Sequence, residues 1–354
     1  MYHNGDKGQV LGTYNVRTSA TYTIWWTNQI QKHNPEFIME ESTIMPSSPT
    51  CSNITTLILD GKGTAVQIRA SLSTEIATLS EKNLHPGLAV LLVGTRVDSA
   101  TYVRLKIKAC SEIGMHSNVI KCPESVSTAE LLEHINALNA DETIHGILVQ
   151  LPLPDHVNEE EVLCAVLPEK DVDGLHPLNV AKLCIGKKRT ETVETDSTHE
   201  YFNVPCTPQG CLVLLDTYKI PITGAHVVIL GRSAIVGLPL SLLFLQRDAT
   251  VTICHSLTKN IMEITKTADI IVAAMGCAEK VTSEWIKEGA VILDVGINSI
   301  TDVDSKRGYR LVGDVQSSVR GRAGALSPVP NGIGPMTIAM LLHNTVESAK
   351  RSIQ

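Results

Sequence analysis

A serine, a tyrosine and a lysine lie at helical spacing in the segment DSATYVRLKIKAC, residues 98–110. Ser99, Tyr102 and Lys106 are separated by three and four positions, so on an α-helix they share one face. Such a set can direct a hydroxyl, a phenol and an amine at one reacting atom. The lysine is chemically useful only where burial or a neighbouring charge brings its pKa towards neutrality. A surface lysine above a half-buried tyrosine has the same spacing, and the pattern alone leaves both interpretations open.

An apolar seam follows a different face of the same predicted helix, which extends from residue 98 to about residue 114. Val103 and Cys110 belong to this seam. Asp98 or Ser99 is the expected N-cap, because short polar side chains accept the free N–H groups of the first turn. Short-chain dehydrogenases also use Tyr-x-x-x-Lys, but there the motif follows the glycine motif. Here it comes far earlier in the chain, so that class is excluded.

A glycine turn occurs in HVVILGRSAIVGLP, residues 226–239, between a predicted strand and a predicted helix. Glycines allow the backbone to approach a pyrophosphate, and the helix N-terminus offers free N–H groups. Gly231 and Gly237 do not have the spacing of the standard dinucleotide motif G-x-G-x-x-G. The segment therefore indicates a dinucleotide site, with a plain strand-to-helix turn as the alternative.

The next predicted strand, TVTIC at residues 250–254, indicates which dinucleotide is bound. NAD sites usually have an acidic residue after this strand to bind the ribose hydroxyl, but here His255 and Ser256 follow. Arg232 comes directly after the first glycine, and an arginine with a hydroxyl suits a 2′-phosphate. The sequence therefore favours NADP over NAD, although Arg232 also fits a solvated surface residue. For His255, a cofactor contact and helix capping stay equally open.

Polar residues stand at the ends of two further segments. Gln150 ends the apolar stretch GILVQ, and ligands of α/β proteins bind at the carboxyl ends of strands. Asp171 and Asp173 lie in the turn sequence EKDVDGLHP. We expect Asp171 to cap that turn. For Asp173, a turn cap and a carboxylate that binds an amino-pyrimidine are equally open.

Strand-like and helical segments alternate from about residue 57, which favours a parallel sheet with helices on both faces. We expect an α/β protein in which residues 55–204 and 336–354 form a catalytic domain and residues 205–335 form a Rossmann-type domain. The C-terminal segment is predicted to be an amphipathic helix that returns to the first domain. The polar stretch 186–203 is predicted to be a solvated loop. The predicted strands are 88–94, 146–154, 226–231, 250–254, 269–276 and 290–296.

The composition excludes several functional classes. The net charge is −7 and no block of basic residues dominates, so a nucleic-acid partner is not expected. The longest apolar run is too short to span a bilayer. Nine cysteines without a CxxC pair indicate reduced thiols in a cytosolic compartment and no metal site. Residues 1–54 are expected to be a disordered extension, with an organellar leader as the alternative.

The segments resemble the bifunctional methylenetetrahydrofolate dehydrogenase/methenyltetrahydrofolate cyclohydrolase family. Their residues look most like those of plant-type members. The resemblance covers about residues 57–350. Eight matching pieces in the family's order make it highly specific. They are DSATYVRLKIKAC, HGILVQLPLP, EKDVDGLHPLN, PCTPQGC, GRSAIVGLP, ILDVGIN, LVGDV and PVPNGIGPMTIAMLLHNT.

The resemblance implies oxidation of 5,10-methylenetetrahydrofolate by NADP+, followed by hydrolysis of the methenyl cation to 10-formyltetrahydrofolate. It also implies a homodimer. A dehydrogenase without the hydrolytic step, and a folate- or NADP-binding protein with little turnover, are the alternatives. The implied catalytic residues are Lys106, Tyr102, Gln150, Asp173 and Ser99. Tyr102, Val149, Gln150, Leu151, Asp173, Pro330, Gly334 and Pro335 are the implied substrate contacts. The implied cofactor contacts are Gly231, Arg232, Ser233, Val236, Gly237, His255, Ser256 and Ile297.

The sequence departs from the family at Asn331, where glycine is usual. If this residue needs a positive φ, asparagine is the least costly substitute, because it tolerates the left-handed region better than other side chains. Its side chain is nevertheless large enough to crowd the cleft.

Overall fold

A computed structural model describes residues 54–185, 202–303 and 308–353. The predicted extension 1–54 lies outside these residues apart from residue 54, as does most of the predicted loop 186–203. The strands are β1 (Leu57–Ile58), β2 (Gly87–Val93), β3 (His116–Cys122), β4 (Gly146–Val149), β5 (His226–Leu230), β6 (Thr250–Cys254), β7 (Ile270–Ala273), β8 (Val291–Asp294), β9 (Asn298–Thr301), β10 (Tyr309–Val312) and β11 (Ala325–Leu326). The helices are α1 (Gly61–Ser80), α2 (Val97–Glu112), α3 (Thr128–Ala140), α4 (Glu159–Ala165), α5 (Pro177–Ile185), α6 (Cys206–Thr217), α7 (Gly237–Gln246), α8 (Ile261–Thr265) and α9 (Ile333–Arg351).

The first sheet has three parallel strands in the order β3-β2-β4. Every residue of β2 and β4 is buried, which explains why both are continuous apolar runs. Strand β3 was not predicted. Like β4 it is an edge strand, but six of the seven residues of HSNVIKC are exposed or partly buried and only Cys122 is buried, so it lacks a continuous apolar run.

The second sheet has six strands in the order β1-β11-β8-β7-β5-β6, and all of its pairings are parallel. Strand β5 pairs with β6 on one side and with β7 on the other. The chain therefore changes direction across the sheet at β5 and β7, and in doubly wound sheets ligands bind at the carboxyl ends of such strands. A separate antiparallel hairpin is formed by β9 and β10.

The C-terminal helix α9 returns to the first part of the chain, as predicted. It packs against α1 and α6 and also contacts β2, β4 and α2. In the second half of α9 the Asn344 Nδ2 atom donates to the carbonyl oxygens of Val172 and Val204, both at 2.9 Å. These bonds fix two chain segments that lie beside the functional cavity described below.

Two segments near the predicted domain borders lie elsewhere than expected. Strand β1, at the start of the predicted catalytic domain, pairs with β11 of the second sheet. Asn203, the last residue of the predicted solvated loop, is buried, and its Nδ2 donates to the Asp171 carbonyl at 3.0 Å. The solvated-loop prediction is therefore wrong for Asn203, because its amide is needed to pair a buried carbonyl.

Candidate active site

Helix α2 carries the polar residues that the sequence places on one face. Ser99 is 4% exposed, Lys106 is 9% exposed and Tyr102 is half-buried. By contrast, Arg104 and Lys108 on the same helix are exposed. The interpretation of Lys106 as a surface lysine is therefore wrong, because its side chain is directed into the protein.

The start of α2 differs from the prediction. The N-cap is Arg96, which makes no side-chain capping hydrogen bond, rather than Asp98 or Ser99. The helix already begins at Val97, and the backbone N–H of Ala100 donates to the Arg96 carbonyl at 2.9 Å. Ser99 consequently lies inside the first turn and is buried there instead of capping the helix.

Lys106 is held at the end of strand β4. Its Nζ donates to Oε1 of Gln150 at 3.0 Å. The Gln150 Nε2 donates in turn to the carbonyl of Leu151 at 2.9 Å, and the Gln150 backbone N–H donates to the Leu91 carbonyl at 2.9 Å. The backbone of Gln150 is thus anchored to β2, and the bond from Nε2 orients the side-chain amide so that its oxygen faces the lysine.

A cavity of about 180 Å³ surrounds this pair. Of the residues predicted for catalysis or substrate binding, Lys106, Val149, Gln150, Leu151 and Asp173 line it. Of those predicted for the cofactor, Val236 does. The cavity thus brings together residues from the two blocks that the sequence separates.

Asp173 reaches the cavity from a turn that its neighbour Asp171 holds in place. Oδ2 of Asp171 accepts the backbone N–H of His176 at 2.7 Å and Nδ2 of Asn179 at 2.8 Å. The turn-capping role predicted for Asp171 is confirmed. Burial raises the pKa of Asp171 against the effect of these bonds. Asp173 itself is half-buried and faces the cavity.

The surroundings of Lys106 tune its amine. Burial lowers the pKa of Lys106, since a charged ammonium loses hydration there. The negative charge of Asp173 acts in the opposite direction and weakens the shift without reversing it. The lysine therefore has the property that its chemical use requires, a pKa displaced towards neutrality.

Several lining residues were not predicted as site residues. Cys206 is 1% exposed, its thiol donates to the Val172 carbonyl at 3.2 Å, and burial raises its pKa well above the usual range. The hydroxyls of Thr207 and Thr337 lie 3.0 Å apart and join α6 to α9. In the sequence, Cys206 and Thr207 lie in PCTPQGC and Thr337 in GPMT, and these two segments were noted only for their resemblance to the family. The other unpredicted lining residues are Leu148, Leu175 and Ile235.

The glycine turn adjoins the same cavity. Gly231 has a φ of 128°, and a Cβ there would overlap the Ala274 carbonyl oxygen. A Cβ on Gly237 would overlap the Gly231 carbonyl oxygen. Both glycines are therefore required by close backbone contacts, and the turn between them brings Ile235 and Val236 to the cavity wall.

The polar side chains of the glycine turn are more exposed than Ser99, Tyr102 and Lys106 of α2. Arg232 and Ser233 are both exposed. The Ser233 Oγ accepts the backbone N–H groups of Val236 at 3.2 Å and Gly237 at 3.4 Å, so it orders the start of α7. A hydroxyl that accepts two bonds still has its own proton to donate.

His255 and Ser256 follow strand β6. The Nδ1 atom of His255 accepts the backbone N–H of Leu257 at 3.3 Å, while the Thr258 Oγ1 accepts the His255 N–H at 2.9 Å. His255 thus orders the turn after β6, which is not the start of a helix. Its role as a cofactor contact stays a prediction. Ser256 is exposed.

Two predicted contacts near the start of α9 lie together. The Cδ1 atom of Ile297 is 3.8 Å from the place where a Cβ of Gly334 would stand. Pro330 is exposed and Pro335 is half-buried. None of these four residues lines the cavity, and neither do Ser99 and Tyr102 of α2. The same holds for the predicted cofactor contacts Gly231, Arg232, Ser233, Gly237, His255 and Ser256.

Asn331 adopts a φ of 85°, which is the condition under which asparagine is the least costly substitute for glycine. Its carbonyl accepts the Lys62 backbone N–H at 2.9 Å, which ties the loop to the start of α1. The Asn331 side chain is exposed and is not part of the cavity lining, so it does not crowd this cavity.

The fold and the cavity define an α/β protein with a dinucleotide-type glycine turn beside a buried lysine. Residues 59–173 match the sequence model of the tetrahydrofolate dehydrogenase/cyclohydrolase catalytic domain. Residues 205–353 match that of the tetrahydrofolate dehydrogenase/cyclohydrolase NAD(P)-binding domain. The chain therefore belongs to the tetrahydrofolate dehydrogenase/cyclohydrolase family.

Similar proteins agree with this assignment. Bifunctional protein FolD 2 of Arabidopsis thaliana is 50% identical over 85% of this chain and 97% of its own length. Bifunctional protein FolD 4, chloroplastic, of the same species is 49% identical over 86% of this chain and 82% of its own length. The crystal structure of the Trypanosoma brucei methylenetetrahydrofolate dehydrogenase-cyclohydrolase, complexed with NADP cofactor and inhibitor, is 40% identical. It has a TM-score of 0.78 over 85% of this chain and 99% of that chain.

Proposed function

We propose that this protein oxidises 5,10-methylenetetrahydrofolate with NADP+ to the 5,10-methenyl cation and then hydrolyses the cation to 10-formyltetrahydrofolate. The observation that carries the proposal is the 3.0 Å hydrogen bond between Lys106 Nζ and Gln150 Oε1. It lies in a cavity that Asp173 and Val236 also line. An amine, an amide and a carboxylate thus face one space beside the glycine turn.

The cavity offers each part of a folate a chemically suitable neighbour. The Asp173 carboxylate accepts hydrogen bonds and can hold the amino-pyrimidine edge of the pterin. Val149 and Leu151 supply apolar walls next to Gln150. Tyr102 lies one helical turn before Lys106 and stacks along the folate, with Ser99 as a supporting hydroxyl. The backbone at Pro330, Gly334 and Pro335 borders the far side of the cleft.

The residues around the glycine turn fit a dinucleotide. The space that a Cβ would fill at Gly231 and Gly237 is taken up by backbone, and the turn leads into the N-terminus of α7. The bound cofactor supplies the hydride acceptor. Arg232, Ser233 and Ser256 are exposed donors that suit a 2′-phosphate, so we assign NADP rather than NAD. Ile297 is positioned to border the cofactor.

The hydrolytic step uses the tuned amine of Lys106. Addition of water to the methenyl cation requires a group that takes or orders the water's proton. An amine with a lowered pKa is neutral in a larger fraction of molecules and can accept that proton. Gln150 holds the amine in place, and hydride transfer, by contrast, depends mainly on position.

We extend the proposal to organisation and location. Residues 55–204 with 336–354 act as the folate-binding domain and residues 205–335 as the cofactor domain, with β1 added to the second sheet. The protein is a homodimer of the cytosol, as the resemblance and the reduced cysteines suggest, and an organellar location is the alternative. No helix among the described residues is long and apolar enough to cross a membrane.

One assay tests the reaction. Purified protein is mixed with 5,10-methylenetetrahydrofolate and NADP+, and the absorbances of NADPH and methenyl-folate are followed together. We expect NADPH to rise while methenyl-folate appears and then decays faster than in an enzyme-free control. Decay no faster than the control indicates a dehydrogenase alone. Ligand binding without either signal indicates a binding protein and contradicts the proposal. Size-exclusion chromatography with light scattering tests the dimer.

A further inference from the structure

Two buried carboxylates lie behind the carboxyl edge of the second sheet, outside the cavity lining. Asp294 is the last residue of β8 and is 4% exposed, and Asp314 follows β10 and is 0% exposed. Two carboxylates buried this close together cost hydration free energy and repel each other, so they require many hydrogen-bond donors. The question is which parts of the chain supply those donors.

Asp314 binds the loop that follows β7. Its Oδ2 accepts the backbone N–H groups of Met275 at 2.6 Å and Gly276 at 3.0 Å, and its Oδ1 accepts that of Cys277 at 2.8 Å. A fourth bond, at 2.9 Å, comes from Nδ2 of Asn298. Three consecutive backbone groups are thus fixed by one side chain.

Asp294 joins this carboxylate to the loop after β8. Its Oδ1 accepts the backbone N–H groups of Gly296 at 3.2 Å and Asp314 at 2.9 Å, and its Oδ2 accepts that of Val315 at 3.0 Å. Its own backbone N–H donates to Ser327 Oγ at 2.8 Å. The loops after β7, β8 and β10 therefore meet at this pair.

These loops border the proposed cofactor cleft on two sides. The loop after β7 begins at Ala274, whose carbonyl contacts Gly231 so closely that no Cβ fits between them. The loop after β8 carries Ile297, which lies against Gly334 at the start of α9. Movement of either loop would change the shape of the cleft on the nicotinamide dinucleotide side.

We propose that Asp294 and Asp314 are positioning residues for the dinucleotide, holding the loops after β7 and β8 against the glycine turn without touching the ligand. The inference rests on the proposed function for the place of the cofactor. Because these loops border the dinucleotide rather than the lysine cavity, their loosening weakens dinucleotide binding more than folate binding.

The test measures the Kd for NADP+ by calorimetry and the KM values of both substrates. Asp314→Asn keeps the size of the side chain but turns an amide N–H towards backbone donors. We expect the Kd and KM for NADP+ to rise roughly tenfold or more, since bonds to a charged group are lost, while the KM for the folate changes less than about twofold.

A matched control and a milder variant accompany it. Asp269→Asn alters an acid at the opposite end of the sheet, which accepts the His226 N–H at 2.9 Å and pairs with Lys287, and we expect the Kd for NADP+ to stay within about twofold. Asn298→Ala removes one of the four donors to Asp314, and we expect roughly a threefold rise in that Kd. If Asp314→Asn does not fold, Asn298→Ala decides the question.

Two results would overturn the inference: an unchanged Kd for NADP+ in both Asp314→Asn and Asn298→Ala, or equal increases in the KM of folate and NADP+. A wild-type protein that binds NADP+ but does not turn over would refute the proposed reaction. The Kd for NADP+ in the wild type and the variants would still test the role of the two carboxylates.

Discussion

The lysine cavity and the glycine turn share one cleft but are built in opposite ways. In the cavity, function depends on buried side chains, of which Lys106 is bonded to Gln150 and its pKa is shifted by burial. At the turn, the shape of the backbone is decisive, since Gly231 and Gly237 leave no space for a Cβ. The polar side chains there, such as Arg232, are exposed.

This difference predicts different consequences of mutation. A change in the cavity alters the protonation and placement of groups that react, so it acts on rate. A change of an exposed side chain at the turn removes a contact to the ligand in a screened environment, so it acts on affinity and on the choice of dinucleotide. The predictions below test this separation.

The largest expected effect is that of Lys106→Met. We expect cyclohydrolase activity to fall by about 100-fold or more, because the group that handles the water's proton is lost. The dehydrogenase should lose less, since hydride transfer depends on position. The unfolding midpoint should not fall, because a desolvated ammonium is replaced by an apolar side chain of similar length.

Lys108→Met is the control for this prediction. Lys108 lies on the same helix with 69% of its side chain exposed and only a 3.8 Å ion pair to Glu112. Both activities should stay near those of the wild type, as exposed pairs contribute little. Full cyclohydrolase activity in Lys106→Met, measured as methenyl-folate decay, would refute the role assigned to the lysine.

Arg232→Ala should produce the next largest effect, on the side of the glycine turn. Loss of a charge-assisted bond to the 2′-phosphate is worth about 1.5–3 kcal/mol, which corresponds to a rise of roughly 10- to 100-fold in the KM for NADP+. The KM for NAD+ and the decay of methenyl-folate should hardly change.

The control is Arg320→Ala, an exposed arginine before β11 in the same domain. It should leave both KM values unaltered. Equal changes of the KM for NADP+ and the KM for NAD+ in Arg232→Ala would show that Arg232 does not bind the 2′-phosphate.

The sequence was sufficient to predict much of this contrast, and its failures have physical reasons. Continuous apolar runs identified buried strands such as β2 and β4, whereas β3 is mostly exposed or partly buried and gave no such run. Lys106, Gln150 and Asp173 were predicted from helical spacing, strand ends and family resemblance, and the structure brings them to one cavity. Cys206 and Thr337 reach it from α6 and α9, and no local spacing relates these helices to α2.

Asp294 does not follow the contrast between buried polar groups in the lysine cavity and exposed ones at the glycine turn. It lies on the cofactor side, but it is buried and its pKa is shifted. Burial raises the pKa of Asp294 to about 7, while an unfolded aspartate titrates near ~3.9. The folded protein binds this proton more tightly, so the resulting stabilisation is fully present below about pH 4. It is lost as the pH rises through about 7.

Asp294→Asn cannot titrate, so the wild-type minus variant difference in free energy of unfolding should decrease between about pH 4 and 7. The decrease should be at most ~4 kcal/mol, because one pKa unit corresponds to ~1.4 kcal/mol. Asp269→Asn is a control of opposite sign, as bonds from Lys287 and His226 lower the pKa of Asp269. The wild-type protein should have a larger free energy of unfolding than Asp269→Asn above about pH 4, and this difference should be lost as the pH falls further. Denaturant titrations from about pH 2 to about pH 8 measure both, because the Asp294 difference changes between about pH 4 and 7 and the Asp269 difference changes below about pH 4. A flat difference for Asp294 would contradict the shift.

The smallest expected effect is that of Asn331→Gly, at the border between the two regions. Because Asn331 already adopts a φ of 85°, glycine relieves a small strain but adds freedom to the unfolded chain, and the two effects nearly cancel. We expect the free energy of unfolding to change by less than ~1 kcal/mol and both activities to stay within about twofold. Asn331→Ala should be less stable than either, since alanine tolerates a positive φ poorly. A large gain of cyclohydrolase activity in Asn331→Gly would mean that the asparagine obstructs the cleft during turnover, although its exposed side chain lies outside the cavity lining.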